Sequence, residues 1–373
     1  MKISDVIDIN KDQSYYINLI RLKSILESKK NYLKLKQENE NYQDIYETME
    51  RMSLLSKNSS FFNPNLDILK IPSENKCFYL PIDNENMVHS FNFNTKKVDK
   101  INIDLGKVNL PYFPKYSRSL NVLGKLYVIG GEIFNQLTSA FFEIDFSYTD
   151  NQQISSTVKM MNPMEFGRCG HSVINVDNHK IYAISGAYGE KSCEYYEFIK
   201  EKWFQFPPIG EDRIGSTLLL RNNEDLYCFF GKKWDLSARK WMFLETVEKV
   251  NLYEKFPKWI TLGFRNLISD NMKRRAFAGV ISTPNNRVFI LGGQIKEEGG
   301  TKATNNVVEI NIDDLSISPA EINLPKPTTF TDNNFYIFHN NNIQFDVNGN
   351  IMFYSIFYKE IWLIENCINS HSI

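Results

Sequence analysis

The sequence predicts an all-β repeat protein whose strands follow a short helical segment at the N-terminus. Two observations predict the repeat: an apolar run of strand length that ends in glycine recurs, and an arginine precedes three of these runs at one fixed offset. A third observation separates the helical segment from the strands. Residues 1–58 contain neither glycine nor proline, so the rest of the chain holds all 18 glycines and 13 prolines.

The repeat is clearest in two apolar runs that end in a glycine pair. Leu126–Gly131 and Val288–Gly293 are near copies, and Ile181–Gly186 and Leu226–Gly231 keep the apolar run and the final glycine. β-Branched and aromatic residues favour a strand buried on both faces, and glycine permits a turn or a close backbone approach at its end. The glycines predicted to lie at strand ends are Gly130, Gly131, Gly186, Gly231, Gly292 and Gly293.

The spacing of the copies indicates a unit of four strands. The terminal glycines are Gly131, Gly186, Gly231 and Gly293, and their mean step of about 54 residues suits a four-stranded unit with its loops. Short strands between turn residues would by themselves suit a sandwich, a barrel or a propeller. Arg168, Arg213 and Arg275 precede the last three of these glycines by one constant interval, which a strand, a turn and a second strand fill.

One copy carries further residues that are typical of a known repeat. Arg168 opens the tetrapeptide Arg-Cys-Gly-His, which ends at His171, and Tyr196-Glu197 is followed by Trp203. These residues resemble the kelch repeat, whose consensus joins Arg-x-x-His, a strand ending in Gly-Gly, a Tyr-Asp pair and a Trp several residues beyond. The resemblance covers about residues 61–366, and it implies a β-propeller of four-stranded blades around a central channel.

Two weaker copies extend the repeat at its ends. Cys77–Ile82 lies one step before the first clear copy and lacks the glycines. Ile351–Ile356 lies one step after the last copy and precedes a further strand, Glu360–Ile364. We therefore predict a six-bladed kelch-type β-propeller. The residues predicted to serve its repeat are Gly130, Gly131, Arg168, His171, Gly186, Tyr196, Trp203, Arg213, Gly231, Arg275, Gly292 and Gly293.

The domain boundary falls near residue 58, which gives a helical segment over 1–58 and the propeller over 59–373. Arg118 departs from the pattern, because it lies closer to Gly131 than the other arginines lie to their glycines. A propeller must pair its ends or leave an exposed edge strand. Phe61–Leu69 would supply either the outer strand of the last blade or the inner strand of the first.

The segment 1–58 predicts two amphipathic helices or one broken helix. Apolar residues between Ile17 and Leu33, and again between Tyr42 and Met52, recur at helical spacing. Basic side chains crowd the first stretch and acidic ones the second, so the two could fold back as a hairpin. The alternative is a helix packed on the flank of the propeller. Self-association or partner docking through this segment is a further expectation.

Charge, cysteines and the N-terminus limit the class of partner and the compartment. The formal net charge is -1, so no whole-chain field attracts nucleic acid or anionic lipid. The five cysteines form no C-x-x-C pair, which favours reduced thiols, and the N-terminus lacks the apolar region of a secretory signal. No uncharged apolar run is long enough to span a bilayer. We expect a cytoplasmic protein that has no nucleic-acid partner and does not insert into a membrane.

Catalytic and metal-binding motifs do not stand out in the sequence. No His, Cys and carboxylate cluster has the spacing of a metal site, and nothing resembles a nucleophile elbow, a P-loop or a dinucleotide fingerprint. Some kelch-like propellers resemble galactose oxidase, whose copper needs two histidines and tyrosines on the axis. The five histidines here are too scattered for that site. We predict no catalytic residue, no cofactor and no metal.

Two insertions between strands are candidates for binding. The segment from Lys232 to Glu245 carries aromatic and other apolar residues, which are typical of protein interfaces when exposed. The alternative is that they pack against the neighbouring blade. The second insertion, from Gln294 to Asn305, is polar. The residues predicted to bind a protein are Trp234, Trp241, Met242 and Phe243.

These observations favour a non-enzymatic scaffold that binds another protein. The kelch resemblance implies cytoskeletal or ciliary assemblies as one setting. One alternative is a substrate-recognition subunit of a ubiquitin ligase, which would need a partner chain because the short helical segment cannot hold the domains of such ligases. The other alternative is a kelch propeller that binds a small ligand or catalyses a reaction.

Overall fold

The structure is a computed structural model of the chain. It describes residues 77–92, 97–148, 154–187, 191–264, 274–282, 287–297 and 300–329, together with three short strands further along. The predicted helices in 1–58 and the segment Phe61–Leu69 lie outside the described residues. The described chain consists almost entirely of β-strands and turns, with one 3₁₀ helix at Leu105–Val108.

Short antiparallel sheets follow one another along the chain. The strands of the first two sheets and of the hairpin between them are β1 (Cys77–Pro81), β2 (Met87–Asn92), β3 (Val98–Asn102), β4 (Arg118–Val122), β5 (Lys125–Ile129), β6 (Glu132–Ile133), β7 (Gln136–Leu137), β8 (Phe141–Tyr148) and β9 (Ile154–Met160). The next strands are β10 (Ser172–Val176), β11 (Lys180–Ile184), β12 (Cys193–Glu197), β13 (Lys202–Phe206), β14 (Thr217–Arg221), β15 (Asp225–Phe229), β16 (Lys232–Asp235), β17 (Lys240–Phe243), β18 (Val247–Asn251) and β19 (Ile260–Leu262). The last strands are β20 (Arg275–Ala276), β21 (Gly279–Ser282), β22 (Arg287–Leu291), β23 (Gln294–Glu297), β24 (Gly300–Asn311), β25 (Ser316–Thr328), β26 (Phe335–Tyr336), β27 (Ile351–Ser355) and β28 (Glu360–Ile364).

These sheets are the blades of a β-propeller. The first blade is β1-β2-β3, and four-stranded blades follow in the orders β4-β5-β8-β9, β10-β11-β12-β13, β14-β15-β18-β19 and β21-β22-β24-β25. The first strands of neighbouring four-stranded blades lie beside one another, as the innermost strands of a propeller do. The sequence prediction of an all-β repeat protein is therefore confirmed at the level of the fold.

The blade count differs from the prediction. The described residues form five blades, so the predicted count of six is wrong for this part of the chain. The apolar run predicted as a sixth blade supplies β27, which lies in a three-stranded sheet with β26 and β28. The prediction counted one blade for each apolar run. A run marks only a single strand, so it does not establish a whole blade around that strand.

In the second to fifth blades the last four residues of the second strand are apolar because both faces of the strand are buried. In β5, Leu126 and Val128 belong to the core shared with the first blade, whereas Tyr127 and Ile129 belong to the core shared with the third blade. The second strands of the third and fourth blades are likewise buried over their last four residues. Two-sided burial therefore explains the continuous apolar runs that mark the repeat.

Main-chain hydrogen bonds join each blade to the segment that follows it. In the first blade a residue with positive φ after β1, and in the other four blades one after the second strand, donates its N–H to a carbonyl just before the next blade, or at the end of β25 in the last case. We call these the clasp bonds. Their donors and acceptors are Asn84 and Phe113 (3.0 Å), Gly131 and Arg168 (2.8 Å), Gly186 and Arg213 (3.2 Å), Gly231 and Arg275 (2.8 Å), and Gly293 and Thr328 (2.7 Å).

The clasp bonds identify one face of the propeller, which we call the glycine face. Here β1 and the second strands of the other four blades end, the hairpins β6–β7, β16–β17 and β23–β24 begin, and the chain enters the first strands of the four-stranded blades. Asn84, with φ 60°, takes the glycine's place in the first blade, because asparagine tolerates the left-handed region better than most residues. This substitution explains why the first copy of the repeat lacks glycine.

Candidate functional site

The repeat arginines are buried structural residues. The Nη1 atoms of Arg168 and Arg213 donate to the carbonyl of the residue that follows the second strand, at 2.9 and 2.8 Å. Their Nη2 atoms lie 2.5 Å from Glu194 Oε1 and Glu248 Oε1. Each carboxylate also accepts a main-chain N–H three residues before its arginine. In these two blades the arginine at the fixed offset from the glycine therefore forms a buried ion pair. This ion pair holds the segment that precedes the blade, on the glycine face, against the sheet.

Two blades fill the same position differently. In the fifth blade Arg275 donates to the carbonyls of Gly292 (2.9 Å) and Asn306 (2.8 Å), and Val308 stands where the third and fourth blades have glutamate. Burial lowers the pKa of Arg275 to about 10. In the second blade the pair is replaced by the rings of Phe113 and Phe142, whose centroids are 6.1 Å apart. Arg118, the exception in the sequence pattern, instead donates a hydrogen bond to the main chain of His171.

His171 lies at the boundary between the second and third blades. Its main-chain carbonyl accepts a 2.7 Å hydrogen bond from Arg118 Nε. The imidazole is fully buried, and neither ring nitrogen has a hydrogen-bond partner among the described residues. Burial holds its pKa well below the usual range, and the charges of Arg168 and Arg118 add to this effect. His171 is therefore a neutral core residue.

We expect the stability of the propeller to fall as the pH drops below about 6.5, the unperturbed histidine pKa, because only the unfolded His171 takes up a proton there. The slope from this residue is at most about 1.4 kcal/mol per pH unit. Urea denaturation between pH 5 and 8 measures it. The variant His171→Leu should lose this component, whereas His179→Gln, in a half-buried turn, should keep it. Equal pH profiles for all three proteins would contradict the assignment.

Tyr196 and Trp203 are also core residues. Their ring centroids lie 5.4 Å apart, and both rings pack against Phe141 of the second blade. The indole Nε1 of Trp203 donates to the carbonyl of Asn162 at 2.9 Å. The repeat residues of the kelch-like pattern thus pack blades together and form no exposed cluster.

The aromatic insertion forms the hairpin β16–β17 on the glycine face. Trp234 and Trp241 face each other across the two strands with ring centroids 5.2 Å apart. Trp234, Trp241 and Met242 remain 43%, 39% and 37% exposed, whereas Phe243 is buried. The structure therefore brings all four predicted residues into one hairpin, with three on its surface and one at its base. This apolar surface, with Leu236 in the turn, is the candidate site.

The base of the hairpin is held by aromatic and polar contacts. Phe243 packs with Ala276 and Phe277 in a small core. The ammonium of Lys232 lies 5.0 Å from the centroid of the Trp241 ring and 5.1 Å from that of Phe277, and it donates to Gln294 at 3.1 Å. Burial lowers the pKa of Lys232. These contacts fix the direction in which the tryptophans project.

The polar insertion from Gln294 to Asn305 forms a second hairpin, made of β23 and the first residues of β24. The bond between Gln294 and Lys232 joins it to the first hairpin. Its exposed Lys302 and Glu297 lie 3.5 Å apart. The two insertions are therefore neighbours on the glycine face.

A series of three main-chain hydrogen bonds, which we call the collar, was not predicted from the sequence. Gly170 N–H donates to Tyr116 (3.1 Å), Gly215 to Gly170 (2.8 Å) and Phe277 to Gly215 (2.6 Å). All four residues have positive φ. A signal was present, because Gly170 and Gly215 both lie two residues after a repeat arginine. The collar places Phe277 beside the base of the hairpin.

Three further observations concern thiols, metal ligands and membrane-spanning helices. The four cysteines among the described residues are free thiols, and burial raises the pKa of Cys169 to about 11 and that of Cys193 to about 12. No group of three His, Cys, Asp or Glu side chains in the described ranges could hold a metal ion. Over the same ranges, no helix has the length and apolar character needed to cross a bilayer.

Comparison with known proteins supports the fold. No protein-family model matches the sequence, and no curated protein matches it. Among solved structures, the chain is similar to YjhT, with a TM-score of 0.50 and 13% sequence identity over 78% of this chain and 95% of that one. At this identity the similarity speaks for the fold alone. The blades and this comparison together show that the chain folds as a β-propeller.

Proposed function

We propose that the protein is a non-enzymatic scaffold of the kelch type, and that it binds another protein through the hairpin β16–β17. The observation that carries the proposal is the pair of exposed tryptophans, Trp234 and Trp241, on a hairpin whose base is buried. Tryptophan is among the residues most enriched at the energetic centres of protein interfaces. Monomeric surfaces seldom expose such rings together without a binding role.

The anchoring of the hairpin supports the same conclusion. A ligand-binding surface gains affinity when its side chains are held in place before the partner arrives, because less conformational freedom is lost on binding. Phe243 in the core and Lys232 between two rings provide that order. Loops and hairpins on a rigid β scaffold are common sites of recognition.

The setting of the scaffold is part of the proposal. Buried free thiols such as Cys193 and Cys228 suit a reducing compartment, so we propose a cytoplasmic protein. A cytoskeletal or ciliary assembly is the setting that the kelch resemblance suggests.

The double variant Trp234→Ala with Trp241→Ala should weaken partner binding by about 2 kcal/mol or more, because truncating central tryptophans costs this much at interfaces. The partner is first identified by proximity labelling in the native cell, and its affinity is then measured by calorimetry. The melting temperature should change little, since both rings are partly exposed.

The matched control is Tyr253→Ala with Phe256→Ala. These rings are also exposed and belong to the fourth blade, but they follow β18 and lie on the face opposite the hairpin. The control should bind as well as the wild type. Equal affinities for both double variants would contradict the proposed site, and a loss confined to the control would move the site to the other face.

A further inference from the structure

The hairpin β16–β17 is basic although the whole chain is nearly neutral. Residues 232–243 contain four cationic side chains and one carboxylate, Asp235, whereas the formal net charge of the chain is -1. The positive charge is therefore local to the exposed tryptophans. It gives the hairpin a preference among protein partners that aromatic residues alone would not provide.

The single carboxylate of the hairpin is engaged within the turn. Asp235 Oδ1 accepts hydrogen bonds from Ser237 N (2.9 Å), Ser237 Oγ (2.6 Å) and Ala238 N (3.0 Å). The hydrogen bond from the Ser237 hydroxyl is the main cause of a lowered pKa for Asp235, and the charge of Lys240 is the least of its causes. This side chain shapes the turn and leaves positive charge in excess at the tip.

The four cations divide into two at the base and two at the tip. Lys232 is held between rings, and Lys233 Nζ lies 2.8 Å from Glu211. The side chains of Arg239 and Lys240 are exposed, and neither side chain forms a hydrogen bond or a salt bridge with any residue that the structure describes. The second hairpin differs, because its Lys302 already lies beside Glu297. The tip of β16–β17 therefore offers two cations beside the Trp pair.

We propose that the partner of this hairpin is an acidic peptide segment that carries an apolar side chain. The apolar side chain would contact Trp234 and Trp241, and flanking carboxylates would meet Arg239 and Lys240. Arginine binds carboxylates in a bidentate geometry that lysine cannot reproduce. The inference deepens the proposed function and rests on it.

A set of fluorescent peptides tests this inference on the full chain. One peptide combines Glu and Asp with one Leu and one Phe, a second replaces its acids with Lys, and a third replaces its apolar residues with Ser. We expect fluorescence polarisation to show binding of the first peptide only, with an affinity that falls as salt rises. Equal binding of the Lys peptide, or tighter binding of a single-stranded oligonucleotide, would overturn the inference.

Charge reversal provides the variant test. Arg239→Glu with Lys240→Glu should lower the affinity for the acidic peptide by about tenfold or more. Neutral Gln at both positions should lower this affinity less. Lys255→Glu with Lys258→Glu makes the same charge change in exposed residues of the opposite face and should leave binding unchanged. Equal effects of the two reversals would show a nonspecific field and overturn the inference.

The outcomes also separate this inference from the proposed function. If the tryptophan variant loses the cellular partner while the charge reversal keeps it, the hairpin binds a protein but not through acidic residues, and the inference fails alone. If neither variant affects the partner, both fail. Loss with each variant, together with selective binding of the acidic peptide, supports both.

Discussion

Replacing Glu248 with alanine is expected to lower the free energy of unfolding by about 3–5 kcal/mol. The substitution leaves the fully buried Arg213 guanidinium without its carboxylate, which lies 2.5 Å away in the structure. It also removes the acceptor of the main-chain N–H groups of Gly210 (2.7 Å) and Glu211 (3.1 Å). Urea denaturation at neutral pH measures the loss.

Glu297→Ala is the matched control for this variant. Its carboxylate pairs with Lys302 at 3.5 Å, but both side chains are exposed. Surface ion pairs contribute about 0–1 kcal/mol, so this variant should remain close to the wild type. A loss below about 1 kcal/mol for Glu248→Ala as well would mean that the buried arginine is satisfied without its carboxylate, contrary to our assignment.

Gly131→Val and Gly293→Val are each expected to cost about 2–5 kcal/mol, through backbone strain and overpacking together. Gly131 has φ 105°, and a Cβ there would lie 2.6 Å from Pro114 Cβ. Gly293 has φ 95°, and its Cβ would lie 2.9 Å from both the Ala276 carbonyl oxygen and Ala278 Cβ. Thermal and urea unfolding of each variant measure the effect.

Two other glycines separate the contributions to this loss. Gly124 has φ 83°, but no atom lies within 4 Å of the position that a Cβ would occupy, so Gly124→Val tests backbone strain alone. Gly263 has open space and no positive φ, so Gly263→Val should be nearly neutral. The expected order of destabilisation is Gly131 and Gly293 first, then Gly124, then Gly263. Unchanged melting for the first two variants would contradict the role given to the clasp residues.

Much of the fold was predictable because its signals are local. Continuous apolar runs revealed the second strands, which are buried on both faces, and the offset between Arg213 and Gly231 reflects one repeated contact. The partners of that contact were not predictable. Glu248 lies 35 residues from Arg213. The hairpin between the second and third strands of a blade changes this sequence separation from blade to blade, so no fixed spacing marks the glutamate.

Substitutions that keep the backbone while changing the chemistry also hid part of the pattern. Phe113 and Phe142 occupy the place of an arginine and a glutamate in the second blade, and Asn84 occupies that of a glycine. Such replacements are visible only once the register of the strands is known. The candidate site was predictable as an aromatic insertion, but the exposure of Trp234 and the burial of Phe243 depend on which hairpin face meets the collar.

The clasp bonds have a consequence for how the propeller opens. Each bond is made by a donor of one blade and an acceptor that belongs to the approach to the next, or to the end of β25 in the last case. Detaching a blade from the middle of the series therefore frees polar groups on both of its sides, and each group left unsatisfied in a buried position is costly. The smallest cooperative unit of opening spans a boundary between blades rather than one blade. Amide protons at Gly131 and Gly231 then exchange with solvent only when two neighbouring blades separate.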